Sequence, residues 1–158
     1  MPKIPAMNPR TSATDRRGSA YRPSAKGFTL VELMVVVVII SILTMIAMPS
    51  YQDYITRGKI PDATSNLAMK RVQMEQYFQD NRTYAGAAPC SSDATTSKYF
   101  TFTGVCAAAT YTLTATGTGS MAGFVYTIDQ DNNKATTGVA AGWTTNNTCW
   151  VTAKGGTC

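Results

Sequence analysis

Residues 28–48, FTLVELMVVVVIISILTMIAM, form an apolar run whose only polar members are Thr29, Glu32, Ser41 and Thr44. As a helix these 21 residues would span roughly 31 Å, the depth of a bilayer's hydrocarbon core. A soluble helix of that length carries a polar face, and none is present here. The run therefore predicts a transmembrane helix. Lys3, Arg10, Arg16, Arg17, Arg22 and Lys26 precede it against a single Asp15. That asymmetry places the N-terminus in the cytoplasm. Tyr51, Tyr54, Arg57 and Lys59 follow the run and suit the opposite interface. A secretory signal peptide has a shorter apolar core and a small-residue cleavage site, and Ile46-Ala47-Met48 is a poor one.

Charge location excludes more than charge total. The chain of 158 residues sums to +5, with 14 Lys and Arg against 9 Asp and Glu. Residues 28–158 carry eight cations and eight anions, so the excess belongs to the N-terminal segment. Net charge therefore gives no licence for nucleic-acid binding by the rest. Residues 1–26 are rich in Pro, Ser, Thr, Ala and Arg, cannot bury a core, and are expected to be disordered. The count of His is 0, which removes His-based triads and His-ligated metal centres.

Glu32 is the anomaly of the apolar run. A carboxylate at the centre of a membrane helix costs about 2.5–3.5 kcal/mol, less near an end, and calls for a partner. A free α-amino group, created by cutting the chain just upstream, would serve.

Lys26-Gly27-Phe28-Thr29-Leu30-Val31-Glu32 followed by an apolar run resembles the class III signal of type IV prepilins and pseudopilins. The resemblance runs densely from Lys26 to about Tyr54. It implies that a prepilin peptidase cuts between Gly27 and Phe28, removing a leader (1–27) longer than is usual in the type IVa class. It implies N-methylation of Phe28. It implies that Glu32 offsets the Phe28 ammonium of an adjacent subunit during filament assembly. The implied fold is the pilin fold, an α+β arrangement. A long N-terminal helix, transmembrane in its first half, packs on a roughly four-stranded antiparallel sheet.

The residues agree with that plan. Ile60, Ala63, Leu67, Met74 and Phe78 recur at helical spacing, so a helix over 28–80 is expected, with a bend near Pro49 and a weak point at Gly58–Pro61. The segment 81–158 is marginal for a core of its own. Strands are expected at Tyr99–Thr103, Tyr111–Thr116, Phe124–Asp129 and Lys134–Thr137, with Cys149–Thr152 as a further candidate. Asp131-Asn132-Asn133 reads as a hairpin turn. Cys90, Cys106, Cys149 and Cys158 all lie on the extracytoplasmic side, where disulfides persist. The local pairs Cys90–Cys106 and Cys149–Cys158 are favoured, the second resembling the family's disulfide-bounded C-terminal region. The crossed pairings stay open.

No catalytic set, cofactor site or metal site is assigned. Asp129 and Asp131 with Asn132 and Asn133 lack calcium-loop spacing and read as a turn. Asn146-Asn147-Thr148 is a formal glycosylation sequon, uninformative in a bacterium. Trp143 and Trp150 are expected to pack over the small core. Arg82, Lys98, Lys134 and Lys154 are candidates for a DNA track, without clustering to support it.

The expected function is a structural subunit of a type IV pilus, with minor-pilin features, supporting adhesion, twitching motility or DNA uptake. Its expected partners are the prepilin peptidase, other pilin subunits and the inner membrane, with no small-molecule substrate. The precursor would sit in the bacterial inner membrane with a periplasmic head, and the mature chain in a cell-surface pilus. The alternatives are a type II secretion pseudopilin and a signal-anchored periplasmic module that never polymerises.

Overall fold

A computed structural model describes residues 27–158. The expectation for the basic segment 1–26 lies outside the described residues. The chain divides into two compact units, one ending at Ile39 and the other covering Ile40–Cys158.

Helix α1 runs from Leu30 to Asn81, 52 residues, without interruption at Pro49 or Pro61. Its start is a reciprocal cap. The Thr29 hydroxyl accepts from the Glu32 amide at 3.2 Å, and the Glu32 carboxylate accepts from the Thr29 amide at 3.4 Å. That is the capping box of a Thr-x-x-Glu sequence, which satisfies two otherwise orphaned N–H groups. The end is an αL cap. Arg82 adopts φ 56°, and its amide donates to the Phe78 carbonyl at 2.8 Å. The helix buries Ile60, Ala63, Leu67 and Met74, as their spacing predicts.

Four strands follow: β1 (Phe100–Cys106), β2 (Tyr111–Gly117), β3 (Val125–Asp129) and β4 (Lys134–Gly138). They form an antiparallel meander in the order β1-β2-β3-β4. In β2, Tyr111, Leu113 and Ala115 are buried while Thr112, Thr114 and Thr116 point away. This period of two turns one sheet face into core. Phe100, Phe102, Tyr126 and Ile128 join that face, and Phe124 and Met121 close one end. Gly104 is required on β1, because a Cβ there would lie 2.8 Å from the Cys90 Cα.

Each expected strand core is present, with ends that match or shift by at most three residues. The Cys149–Thr152 candidate is not a strand. The C-terminal stretch meets β4 through an isolated bridge, Thr136 to Asn146. The Thr136 side chain replaces a ladder. Its hydroxyl donates to the Cys149 carbonyl at 3.0 Å and accepts from the Val151 amide at 2.8 Å. Tyr126 donates its hydroxyl to the Val151 carbonyl at 3.1 Å, and the Trp150 indole donates to the Thr127 carbonyl at 2.8 Å. The segment is a strap held by side chains, and it covers an edge strand that would otherwise invite pairing.

Candidate assembly segment and head surface

Gly27 and Phe28 lie just before α1. A Cβ built on Gly27 would meet nothing within 4 Å, and Phe28 is 83% exposed. The apolar side chains that follow, Leu30 to Met48, are exposed throughout. Among the described residues, α1 is the one helix long and apolar enough to cross a membrane. Its polar groups turn inward to the backbone: Thr44 donates to the Ile40 carbonyl at 2.7 Å. Such back-bonding hides a hydroxyl from an apolar surrounding.

The cap gives Glu32 a second duty that the sequence reading missed. The signal was present, since Thr29-x-x-Glu32 ahead of an apolar run is the capping-box pattern.

In the head, three acidic groups organise the surface. Asp93 receives the Lys70 ammonium at 2.7 Å and the amides of Thr95 and Thr96 at 3.0 and 3.1 Å. The Lys70 hydrogen bond, then those from Thr96 and Thr95, hold its carboxyl well below the usual range. Glu75 on α1 accepts from the hydroxyls of Tyr84 (3.2 Å) and Tyr111 (3.0 Å). Burial and the Glu75 carboxylate push both phenols up. Asp129 closes the β3–β4 turn, accepting from the amides of Asp131 (3.0 Å) and Asn133 (2.8 Å), with Asn132 at φ 63°. That carboxylate is spent on the turn, as expected. Asn146 of the formal sequon accepts from the amide and hydroxyl of Thr148 at 2.9 and 2.8 Å. It belongs to the strap.

Disulfides join Cys90 to Cys106 and Cys149 to Cys158, with Cα separations of 5.9 and 6.0 Å. The first ties the loop after α1 to the end of β1. The second closes the strap. Trp143 packs edge-on against Phe124 at 5.0 Å.

The four cations singled out as a DNA track do not share one setting. Lys154 pairs with Asp53 at 2.8 Å. Lys134 lies over the Trp150 ring, 4.8 Å from its centre. Lys98 lies 5.9 Å from the centre of the Tyr99 ring, and Lys59 of α1, which the candidate set left out, lies 5.0 Å from the centre of the same ring. Arg82 caps the helix through its backbone.

Two family models match the chain. One is described as a prokaryotic N-terminal methylation motif and covers residues 22–48. The other is described as type IV minor pilin ComP, DNA uptake sequence receptor, and covers residues 49–131. Among curated proteins, the chain is 44% identical over 55 residues to fimbrial protein EcpC of Eikenella corrodens, covering 35% of this chain and 36% of that one. It is 40% identical over 68 residues to a fimbrial protein of Moraxella nonliquefaciens, covering 43% and 44%. It is 38% identical over 68 residues to the type IV major fimbrial protein FimA of Dichelobacter nodosus, covering 43% and 42%. The chain thus spans less than half the length of these relatives. No solved structure matches. The minor-pilin model extends over more than half of the chain, across the second part of α1, the disulfide-tied loop and the first three strands. On that match, the chain belongs to the type IV minor pilin family.

Proposed function

We propose that this protein is a subunit of a type IV pilus, made as a membrane-held precursor and polymerised through α1. The prepilin peptidase cuts between Gly27 and Phe28, and Phe28 is then N-methylated. The match of residues 22–48 to the methylation motif carries this reading. The exposure of every apolar side chain from Leu30 to Met48 supports it. In the bilayer that surface contacts lipid; in a filament it contacts the same surface of other subunits. The exchange trades one apolar contact for another, so assembly depends on packing and on polar pairs.

Glu32 supplies such a pair with the Phe28 ammonium of a neighbouring subunit. Its second duty, the cap, makes the test selective. Glutamine keeps a capping box, whereas alanine removes both cap and charge. Glu32→Gln is expected to abolish incorporation into sheared filaments while the precursor remains abundant in membranes. Normal incorporation of Glu32→Gln with loss only in Glu32→Ala would assign the residue to the cap and remove its pairing role. A second reading adds to the first: the chain binds DNA, in line with the description of the matching family model as a DNA uptake sequence receptor. It is tested by binding of duplex DNA to the full chain in neutral detergent.

A further inference from the structure

The two edges of the sheet are protected by different means. The strap covers β4 through Thr136. β1 lies at the other edge, since the strand order is β1-β2-β3-β4. Its residues, Phe100-Thr101-Phe102-Thr103-Gly104-Val105-Cys106, include no charge and no proline. Thr103 and Val105 are exposed on the face away from the core, Val105 by 81%. Natural edge strands are blunted by charge, proline or a bulge, and an uncharged run of this kind invites a further strand. What covers β1 is the loop before it. The amide and carbonyl of Phe102 point away from β2 and exchange two hydrogen bonds with Asp93, each at 2.8 Å. The Phe100 amide donates to the Ser97 hydroxyl at 3.0 Å.

This cover is one isolated bridge, and its hold comes from elsewhere. The Asp93 carboxylate takes the Lys70 ammonium of α1 at 2.7 Å and the amides of Thr95 and Thr96 at 3.0 and 3.1 Å. The Ser97 hydroxyl donates to Asp62 of α1. The Cys90–Cys106 bond ties the start of the loop to the end of β1. Cys90 rests against Gly104, where a Cβ would not fit. We propose that residues 89–97 are a guard over the β1 edge, and that the edge beneath them fits the β1 edge of a second copy of this chain. The occupant follows from the strand itself. Two β1 edges facing each other antiparallel offer matching rows of amides and carbonyls about a two-fold axis, and neither row carries a charge to repel the other. With the guard closed, the Phe102 groups are spent inside one head. With it open, two heads join their four-stranded sheets through β1. The staple and the Lys70–Asp93 pair thus keep the head single.

The test is amide hydrogen exchange, resolved by residue, on the full chain in excess neutral detergent over a range of protein concentration. Association through α1 leaves the Phe102 amide untouched, so this amide reports on the β1 edge alone. In the parent its exchange should be slow and independent of concentration. In Cys90→Ser with Cys106→Ser it should quicken about tenfold at low concentration, as the guard opens, and slow again as concentration rises and a second copy pairs. Asp93→Ala keeps the staple and cuts the tie to Lys70. It should move the same amide in the same direction by a smaller factor, and it gives the reading even where loss of the staple unfolds the head. Protected amides between β2 and β3 show that the sheet is intact. Adding Val105→Lys to either variant puts a charge on the exposed edge strand and should keep exchange fast at every concentration. Unchanged exchange at Phe102 in both variants would show that the loop guards nothing. Fast exchange at every concentration without Val105→Lys would show an edge that opens and takes no second copy. Protection that rises with concentration despite Val105→Lys would place the pairing away from β1. Each of these three results overturns the proposal.

Discussion

Met74 shows no exposed surface where α1 meets the sheet. Met74→Ala is expected to cost about 2–5 kcal/mol, through lost apolar transfer and the cavity left behind. A lower denaturant midpoint at unchanged slope would register it. Next to it in the chain, Glu75 holds the hydroxyls of Tyr84 and Tyr111, and both phenols titrate above their ordinary value. A group whose pKa is raised by folding stabilises fully below its unfolded pKa and loses that contribution as pH climbs. The head should therefore lose stability from about pH 10 upward. Glu75→Gln, which removes the charge that repels phenolate, should flatten that decline in pH-dependent thermal unfolding. Asp93 works in the opposite sense. Its lowered pKa contributes stability above about pH 4, and that contribution fades as pH falls further. The two neighbours on α1 differ in how far the sequence betrays them. Met74 lies on a helical spacing that a reader can count. The bond from Tyr111 to Glu75 joins residues 36 apart, and no local pattern announces it.

Between Pro49 and Pro61, α1 lacks two backbone donors, and no side chain before Ile60 is buried in the core. Two polar ties hold this stretch to the head: Asp53 to Lys154 and Lys59 to Ser120, each at 2.8 Å. Asp53→Ala removes the first. A pair this exposed is worth at most about 1 kcal/mol. Amide hydrogen exchange over residues 50–60 should accelerate by about fivefold at most, with the sheet unchanged. The staple before β1 is stronger. Replacing Cys90 and Cys106 with Ser opens a loop of sequence separation 16. The expected cost is about 3 kcal/mol in the unfolded-chain model, read as a lower melting temperature. At this scale the strands of the meander were legible, because Thr alternates with Tyr, Leu, Phe and Ile and turn residues punctuate them. The strap was not. Cys149 to Thr152 has strand-like residues, but its hydrogen bonds go to the Thr136 hydroxyl and to Tyr126, and side-chain partners leave no periodic trace.

The whole molecule joins a head with a buried apolar core to a helix whose first half buries nothing. That imbalance was the most legible property of the sequence, since length and apolarity suffice to state it. The surface chemistry of the head was less so. The cations are scattered along the chain, and only the fold brings Lys59 and Lys98 to one ring, Tyr99, and sends Lys154 to Asp53. The same imbalance requires a partner for the exposed segment; under the proposed function that partner is lipid first and other subunits afterwards. The most direct measurement is intact and N-terminal mass spectrometry of the native protein, taken from sheared surface filaments and from membranes. A polymerising pilin gives a sheared-fraction mass that begins at Phe28 with one added methyl group. A chain found only in membranes, with residues 1–27 still attached, would contradict processing and assembly together and leave an anchored head that never enters a filament.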